Sequence, residues 1–330
     1  MDARTETSVR DETDAAPGSA SAAPLITVYR PRRPVSLRHT LAPLGRGPYD
    51  PTTVWGDRGV WRTFRTPHGA VTLRLTEHPS AASVGEIEAA AWGPGAEWMI
   101  AALPALLGDG DDWSDLDVAG HPLLSESLRR NAGLRLMRTG RVLEALIPAI
   151  IEQKVTSIEA YRSWARLVRA HGEPAPGPAP EGMRVVPSPA AWRLVPSWQW
   201  HAAGVDPRRS RAALEACHVA SGLERTTDAA LSGAEIARRL RSVPGVGVWT
   251  AAETAQRAHG DPDAVSVGDY HLAKQVGTAL IGRDVDDDGM LELLEPWAGQ
   301  RQRVVRLILA SGVRRERHGP RATIQDHRGH

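Results

Sequence analysis

Hydrophobic and polar positions change rhythm once along the chain. Between Val60 and Leu75 they largely alternate. Val60-Trp61-Arg62-Thr63-Phe64-Arg65-Thr66 is a β-prone run, and Pro67-His68-Gly69 can turn the chain. Val71, Leu73 and Leu75 then alternate with Thr72 and Arg74. A period of two predicts a hairpin with one buried face. Ile87, Ala91, Trp98, Leu103 and Leu107 predict helical segments after it, broken at Gly93-Pro94-Gly95. From about residue 120 the period lengthens. Val142, Leu143, Leu146, Ile147, Ile150 and Ile151 line one helical face, within which Pro148 predicts a kink or a restart. Ile158, Tyr161, Trp164, Leu167 and Val168 continue the helical spacing. The run 172–181, rich in proline and glycine, predicts a surface loop, and 212–220 and 232–243 predict further helices. The expected architecture is therefore mainly α. A small α+β domain spans 25–112 and a helical domain spans 113–315, flanked by a disordered tail (1–24) and a polar tail (316–330).

Composition narrows the function. A chain of 330 residues suits two or three packed domains, and 42% hydrophobic with 24% charged residues reads as globular. The formal net charge of +1 gives no overall argument for a nucleic-acid partner. Its distribution gives a local one. Seven arginines stand between Arg301 and Arg321 against Glu316, which suits either a basic stripe on DNA or a solvated final helix. Cys217 is the single cysteine, so an intrachain disulfide and a four-cysteine metal site are both excluded. No compact His/Cys/Asp set converges in sequence, so no metal site is expected. The first residues lack a signal-peptide pattern, and the apolar runs are too short to span a bilayer. The expectation is a cytoplasmic protein with no membrane partner.

Candidate chemistry concentrates in 232–282. Ser232 stands three residues ahead of Glu235, as in a capping box, and Ile236, Leu240 and Val243 follow at helical spacing. Pro244 stops that helix. Gly245 and Gly247 allow a tight turn with no side chain over the amides, and Val248, Ala251, Ala252, Ala255 and Ala258 start a second helix. The unpaired N–H groups at its start form an anion site suited to a DNA backbone phosphate, which carries no sequence information. About twenty residues later, Val265-Ser266-Val267-Gly268-Asp269-Tyr270-His271-Leu272 leads into another helix, with Asp269 at or beside its N-cap.

Together these residues resemble the helix–hairpin–helix DNA glycosylases, and within them the alkylated-base branch, DNA-3-methyladenine glycosylase II. The resemblance rests on Val243-Pro244-Gly245-Val246-Gly247-Val248-Trp249-Thr250-Ala251 followed by Asp269, and on Asp269-Tyr270-His271-Leu272. It also rests on Gly133-Leu134-Arg135-Leu136 leading into Ala149-Ile150-Ile151-Glu152-Gln153-Lys154-Val155-Thr156-Ser157, and on Glu295-Pro296-Trp297. It covers roughly 130–310.

The resemblance implies a fold, a partner and an activity. The partner is duplex DNA containing a damaged base, bound by a monomer, and the activity is cofactor-free hydrolysis of the N-glycosidic bond of an alkylated purine in base excision repair. It makes Asp269 the catalytic carboxylate and surrounds the extruded base with Trp249, Glu253, Gln153 and Tyr270. The DNA backbone falls to Gly245, Val246, Gly247, Thr250, Lys154 and Arg303. Trp249 occupies the place of the nucleophilic lysine of strand-nicking relatives. Lys274, five residues past Asp269, is rotated by about 140° from it on a helix. Lys154 and the N-terminal amine are the other amines left, and lyase activity is not expected. Glu152, Lys154 and Glu253 depart from the branch pattern. They keep open a glycosylase for another modified base, or a protein that binds damaged DNA without cutting it.

Overall fold

The computed structural model describes residues 23–78, 85–228 and 230–313; all but the last two residues of the expected disordered tail, and the whole of the expected polar tail, lie outside them. Strands β1 (Leu25–Tyr29), β2 (Thr53–Gly56), β3 (Gly59–Thr66), β4 (Gly69–His78) and β5 (Glu86–Trp92) form an antiparallel sheet in the order β1-β5-β4-β3-β2. The expected hairpin is β3–β4, with Thr66 paired to Gly69 at its tip. Alternation places Val60, Phe64, Leu73 and Leu75 on one face. There they form a core with α1 (Leu37–Leu41) and α2 (Ala96–Leu106) through Leu37, Leu41, Met99 and Leu103.

Ile87 and Ala91 do not lie on a helix. They belong to β5, which is hydrogen-bonded on both sides, to β1 and to β4. The Glu-Ile-Glu-Ala-Ala-Ala sequence has helical propensity, but pairing on two edges and burial of Ile87, Ala89 and Ala91 override it.

The region 113–313 carries two hydrophobic cores. The first gathers α4 (Val142–Ile151), α5 (Ser157–His171), α6 (Pro189–Arg193), α7 (Ser197–Ala203), α8 (Pro207–His218), α9 (Ala220–Glu224), α10 (Gly233–Arg241) and α11 (Val248–Ala258). The nearly all-apolar α4 sits at its centre and runs through Pro148 without restarting. Trp164, Trp192 and Trp200 stack in series beside it, with Trp192 and Trp200 centroids 5.4 Å apart. The short strands β6 (Glu173–Pro174) and β7 (Arg184–Val185) pair across the proline-rich segment expected to be loop.

The second core joins α3 (Pro122–Arg130), from early in the region, to α12 (Leu272–Ile281), α13 (Asp287–Leu294) and α14 (Arg301–Ala310). The chain thus builds half of this core, leaves to complete the first, and returns through 259–271. The two elements of interest end on different cores. The hairpin between α10 and α11 belongs to the first, and Asp269 starts α12 of the second.

Candidate active site

The hairpin is fixed by local forces. The Ser232 hydroxyl accepts from Glu235 N at 3.2 Å and starts α10. Only this half of the expected capping box is present, because Glu235 turns outward to Arg238 and Arg239. A complete box caps α5 instead, through Thr156 and Glu159. After α10, Val246 N donates to Val243 O at 3.0 Å and closes the turn. Gly245 has φ +87°, and a Cβ there would stand 2.7 Å from Ala212 Cβ, so both backbone and packing require glycine. Gly247 differs. Its φ of −91° suits any residue, and nothing lies within 4 Å of where its Cβ would point. What it leaves open is the space over the first turn of α11. Among the described residues no acceptor meets the N–H groups of Gly247, Val248 and Trp249. Free N–H groups at a helix N-terminus are what the anion site expected from the sequence requires.

Gln153 locks the hairpin from below. Its side-chain amide donates to Gly245 O at 3.0 Å and to Thr250 Oγ1 at 2.8 Å, tying the end of α4 to the turn. Beside it, exposed Lys154 is the one non-glycine residue with positive φ among the described residues, at 56°.

Asp269 faces this hairpin across the seam. Its Oδ1 accepts from His271 N at 2.8 Å and Leu272 N at 3.0 Å, so it caps α12. Its Oδ2 accepts from the indole Nε1–H of Trp249 at 3.2 Å. One turn along α11, Glu253 accepts from the Ser266 hydroxyl at 2.5 Å, and Gln256 Nε2 donates to Ser266 Oγ and to Ala264 O. Trp249, Glu253 and Gln256 thus form a ladder that holds 264–269 against α11. From the other side, Asp263 accepts from the Arg301 guanidinium and from the N–H groups of Gly299 and Arg301, anchoring the same segment to α14. The result is a rigid carboxylate with one oxygen turned to an indole, next to unspent backbone amides. Such a group opposes positive charge developing on an atom placed beside it.

The fold carrying this site has known counterparts. No protein-family model and no curated protein matches the chain. Among solved structures it is similar to the 3-methyladenine DNA-glycosylase from Archaeoglobus fulgidus, with TM-score 0.70 and 18% identity over 86% of this chain and 97% of that one. It is also similar to the 8-oxoguanine glycosylase/lyase of Clostridium acetobutylicum in its apo-form, with TM-score 0.65 and 12% identity over 87% and 96%. The same enzyme in complex with duplex DNA containing cytosine opposite 8-oxoguanine gives TM-score 0.64 and 13% identity over 88% and 94%. The fold is that of the helix–hairpin–helix DNA glycosylases. The match extends over the small sheet domain, where the sequence resemblance was faint.

Within the glycosylase fold, several side chains have tasks other than those expected. Val246 is buried in the first core and its N–H is used by the turn, so neither reaches a phosphate. Thr250 is 2% exposed and its hydroxyl accepts from Gln153. Gln153 is thereby a clamp on the hairpin rather than a contact for a base. Tyr270 is 76% exposed, with Lys274 Nζ 4.9 Å from its ring centroid, and stands on the outer surface. Arg303 pairs with nearly buried Asp111 at 2.7 Å and cannot also serve DNA. The basic stripe is likewise broken up. Arg301 and Arg303 are ion-paired and Arg306 turns toward His39 O, while Arg314, Arg315, Arg317 and Arg321 lie outside the described residues.

Glu253 is the largest surprise. It belongs to an ionic junction where residues 39–46 of the small domain meet the helices. Glu253 pairs with Arg257 at 2.7 Å, and Arg46 pairs with Glu152 at 3.0 Å. Arg257 and Arg46 both donate to Pro43 O, and Arg306 donates to His39 O. Burial pushes the Glu253 carboxyl up, but Arg257, the Ser266 hydroxyl and Arg46 outweigh it and hold it below the usual carboxylate range. Burial and the carboxylates of Glu152 and Glu253 raise the Tyr161 phenol. No group of three or more His, Cys, Asp or Glu side chains suited to a metal occurs among the described residues. Cys217 is buried, its thiol pushed up to about 12 by desolvation.

Proposed function

We propose that this protein is a monofunctional DNA N-glycosylase that removes a damaged base from duplex DNA by hydrolysis. The observation that carries the reading is the Asp269 carboxylate, held by the N–H groups of His271 and Leu272 at the start of α12 and by the Trp249 indole, beside a hairpin with unspent N–H groups. The amides would take a backbone phosphate, the nucleotide would leave the stack, and Asp269 would face its sugar. As the C1′–N bond breaks, positive charge appears on the sugar, and the fixed carboxylate lowers the energy of that state. Lys274 lies over Tyr270 and Trp249 has no amine, which supports hydrolysis without strand nicking.

By resemblance the base is an alkylated purine, whose positive charge makes it leave without a strong general acid. A second reading, another modified base, is favoured by the ion pairs one turn beyond Trp249. The test is to incubate the protein with duplexes carrying single defined lesions and measure free base. Release of a damaged base with an intact strand is expected. Binding without any release would leave only a damage-binding protein. Borohydride present during turnover should trap no covalent protein–DNA adduct.

A further inference from the structure

Asp269 stands at the end of a turn with little stiffness of its own. Its N–H donates to Ser266 O at 3.2 Å and closes the turn Ser266-Val267-Gly268-Asp269. Gly268 has φ +88°, and nothing lies within 4 Å of where its Cβ would point. A glycine in open space immediately before the carboxylate is a soft joint. From α11 the carboxylate receives a single bond, the Trp249 indole N–H at 3.2 Å. The start of the turn is held more firmly. Ser266 is buried, and its hydroxyl donates to Glu253 Oε1 at 2.5 Å, the short distance of a hydrogen bond to an ionised carboxylate. The same hydroxyl accepts from Gln256 Nε2 at 2.8 Å, and that amide also donates to Ala264 O at 2.9 Å. Glu253 is in turn fixed by Arg257 at 2.7 Å, and Arg257 Nε donates to Pro43 O of the small domain at 3.0 Å.

These bonds join the two cores. Oδ1 of Asp269 is tied to α12, and Val265 and Leu272 on either side of the turn are buried in the second core. The hairpin and α11 belong to the first. The α12 cap therefore does not set the distance from Asp269 to the hairpin amides. That distance is set by Trp249, Glu253 and Gln256, which recur at i, i+4 and i+7 and so share one face of α11. Polar bonds are directional, so they fix the position of 264–269 along the helix as well as its separation from it. We infer that Ser266 is a positioning residue for Asp269, pinned by Glu253 and Gln256 so that the carboxylate keeps its place beside the hairpin while the glycosidic bond breaks. This role rests on the glycosylase reading of the site. Without its hydroxyl Ser266 loses both partners on α11, and the turn is free to swing about Gly268. A displaced carboxylate opposes the developing charge less well.

The test uses the full chain and duplexes carrying hypoxanthine, 8-oxoguanine or 3-methyladenine; the one whose base the parent protein releases fastest over spontaneous loss is taken further. Ser266→Ala removes the hydroxyl and keeps the backbone bond to Asp269. Single-turnover release at saturating protein is expected to fall about tenfold. Affinity for the duplex by fluorescence anisotropy should equal the parent's, because the hairpin amides are untouched. Gln256→Met, which removes one of the two partners, should fall between Ser266→Ala and the parent. A cycle with Asp269→Asn separates positioning from a general structural role. If Ser266 acts through Asp269, Ser266→Ala costs nothing further in the Asp269→Asn background, whereas a general loss of structure lowers both backgrounds equally. Circular dichroism checks folding, and if Ser266→Ala does not fold, Gln256→Met is carried through the same cycle. A parental release rate, a loss of affinity that matches the loss of rate, or an equal fall in both backgrounds would overturn the inference and leave the glycosylase reading standing. Absence of base release by the parent protein from all three duplexes would overturn both.

Discussion

The hairpin and the ionic junction lie at opposite ends of the same helix, α11, and they are built on opposite principles. At its N-terminus polar groups are left unspent. Three amides have no acceptor among the described residues, and Gly247 keeps the space above them empty. At the junction, one turn beyond Trp249 and onward, polar groups are almost all spent. Glu253, Arg257, Arg46 and Glu152 are paired, and main-chain carbonyls take the remaining donors. A region that must accept a ligand keeps its hydrogen-bonding capacity free, whereas one that joins two domains uses it up.

The comparison is broken most severely by removing one partner of a junction pair. Glu253→Ala strands the Arg257 charge in the interior and is expected to destabilise the protein by about 3 kcal/mol or more in urea unfolding. The exposed change Gly247→Glu should stay within roughly 0.5 kcal/mol of the parent. Equal losses in the two variants would erase the distinction. Next in size is Gly245→Ala. Positive φ and the close Ala212 methyl should together cost about 2 kcal/mol, read in the same unfolding experiment. A charge at Gly245 therefore confounds misfolding with lost phosphate binding, and Gly247 is the position that separates them. Gly247→Glu should weaken binding to any duplex about tenfold at low salt, independent of sequence, with the difference shrinking as salt rises. Fluorescence anisotropy across a salt series would show it, and unchanged affinity would remove the amides from the binding site.

Smallest at neutral pH, and growing only in acid, is the effect at the end of α11 next to the junction. Burial, helped by Arg138, lowers His259 from 6.5 to about 4. The unfolded chain therefore takes up a proton that the folded chain refuses. Stability from this group is complete above about pH 6.5 and falls as the pH drops toward 4, by up to about 1.4 kcal/mol per unit. His259→Gln should flatten that part of the stability–pH curve, and an unaltered curve would show that the imidazole is solvated.

Much of the hairpin was legible because its determinants are local. Pro244, Gly245 and the small residues of α11 state the turn and the close packing within a dozen positions. Asp269 as a cap followed from its place before Leu272. The junction was illegible because its partners are distant in sequence: Arg46 is brought to Glu152, and Arg306 to the carbonyl of His39, only by the fold. For the same reason Arg303 read as a DNA contact until Asp111 was found beside it. The role of Trp249 fell between the two. Its indole N–H invited a partner, and an acceptor about twenty residues on was the signal, but the resemblance assigned the ring to the base pocket and not the nitrogen to Asp269. Ile87 to Ala91 misled in the opposite direction, since local propensity favoured a helix where two neighbouring strands impose β5.

The central claim is that Asp269 acts on charge that exists only while the base departs. Asp269→Asn keeps the shape and the acceptor oxygen that caps α12, so circular dichroism should be unchanged. Single-turnover base release and equilibrium binding are then measured on one lesion duplex that the parent protein cleaves. The release rate should fall by roughly 100-fold or more, with affinity equal or tighter because an anion near the DNA backbone has been removed. A variant that folds, binds and releases base at the parent rate would contradict the account and leave Asp269 as a helix cap alone.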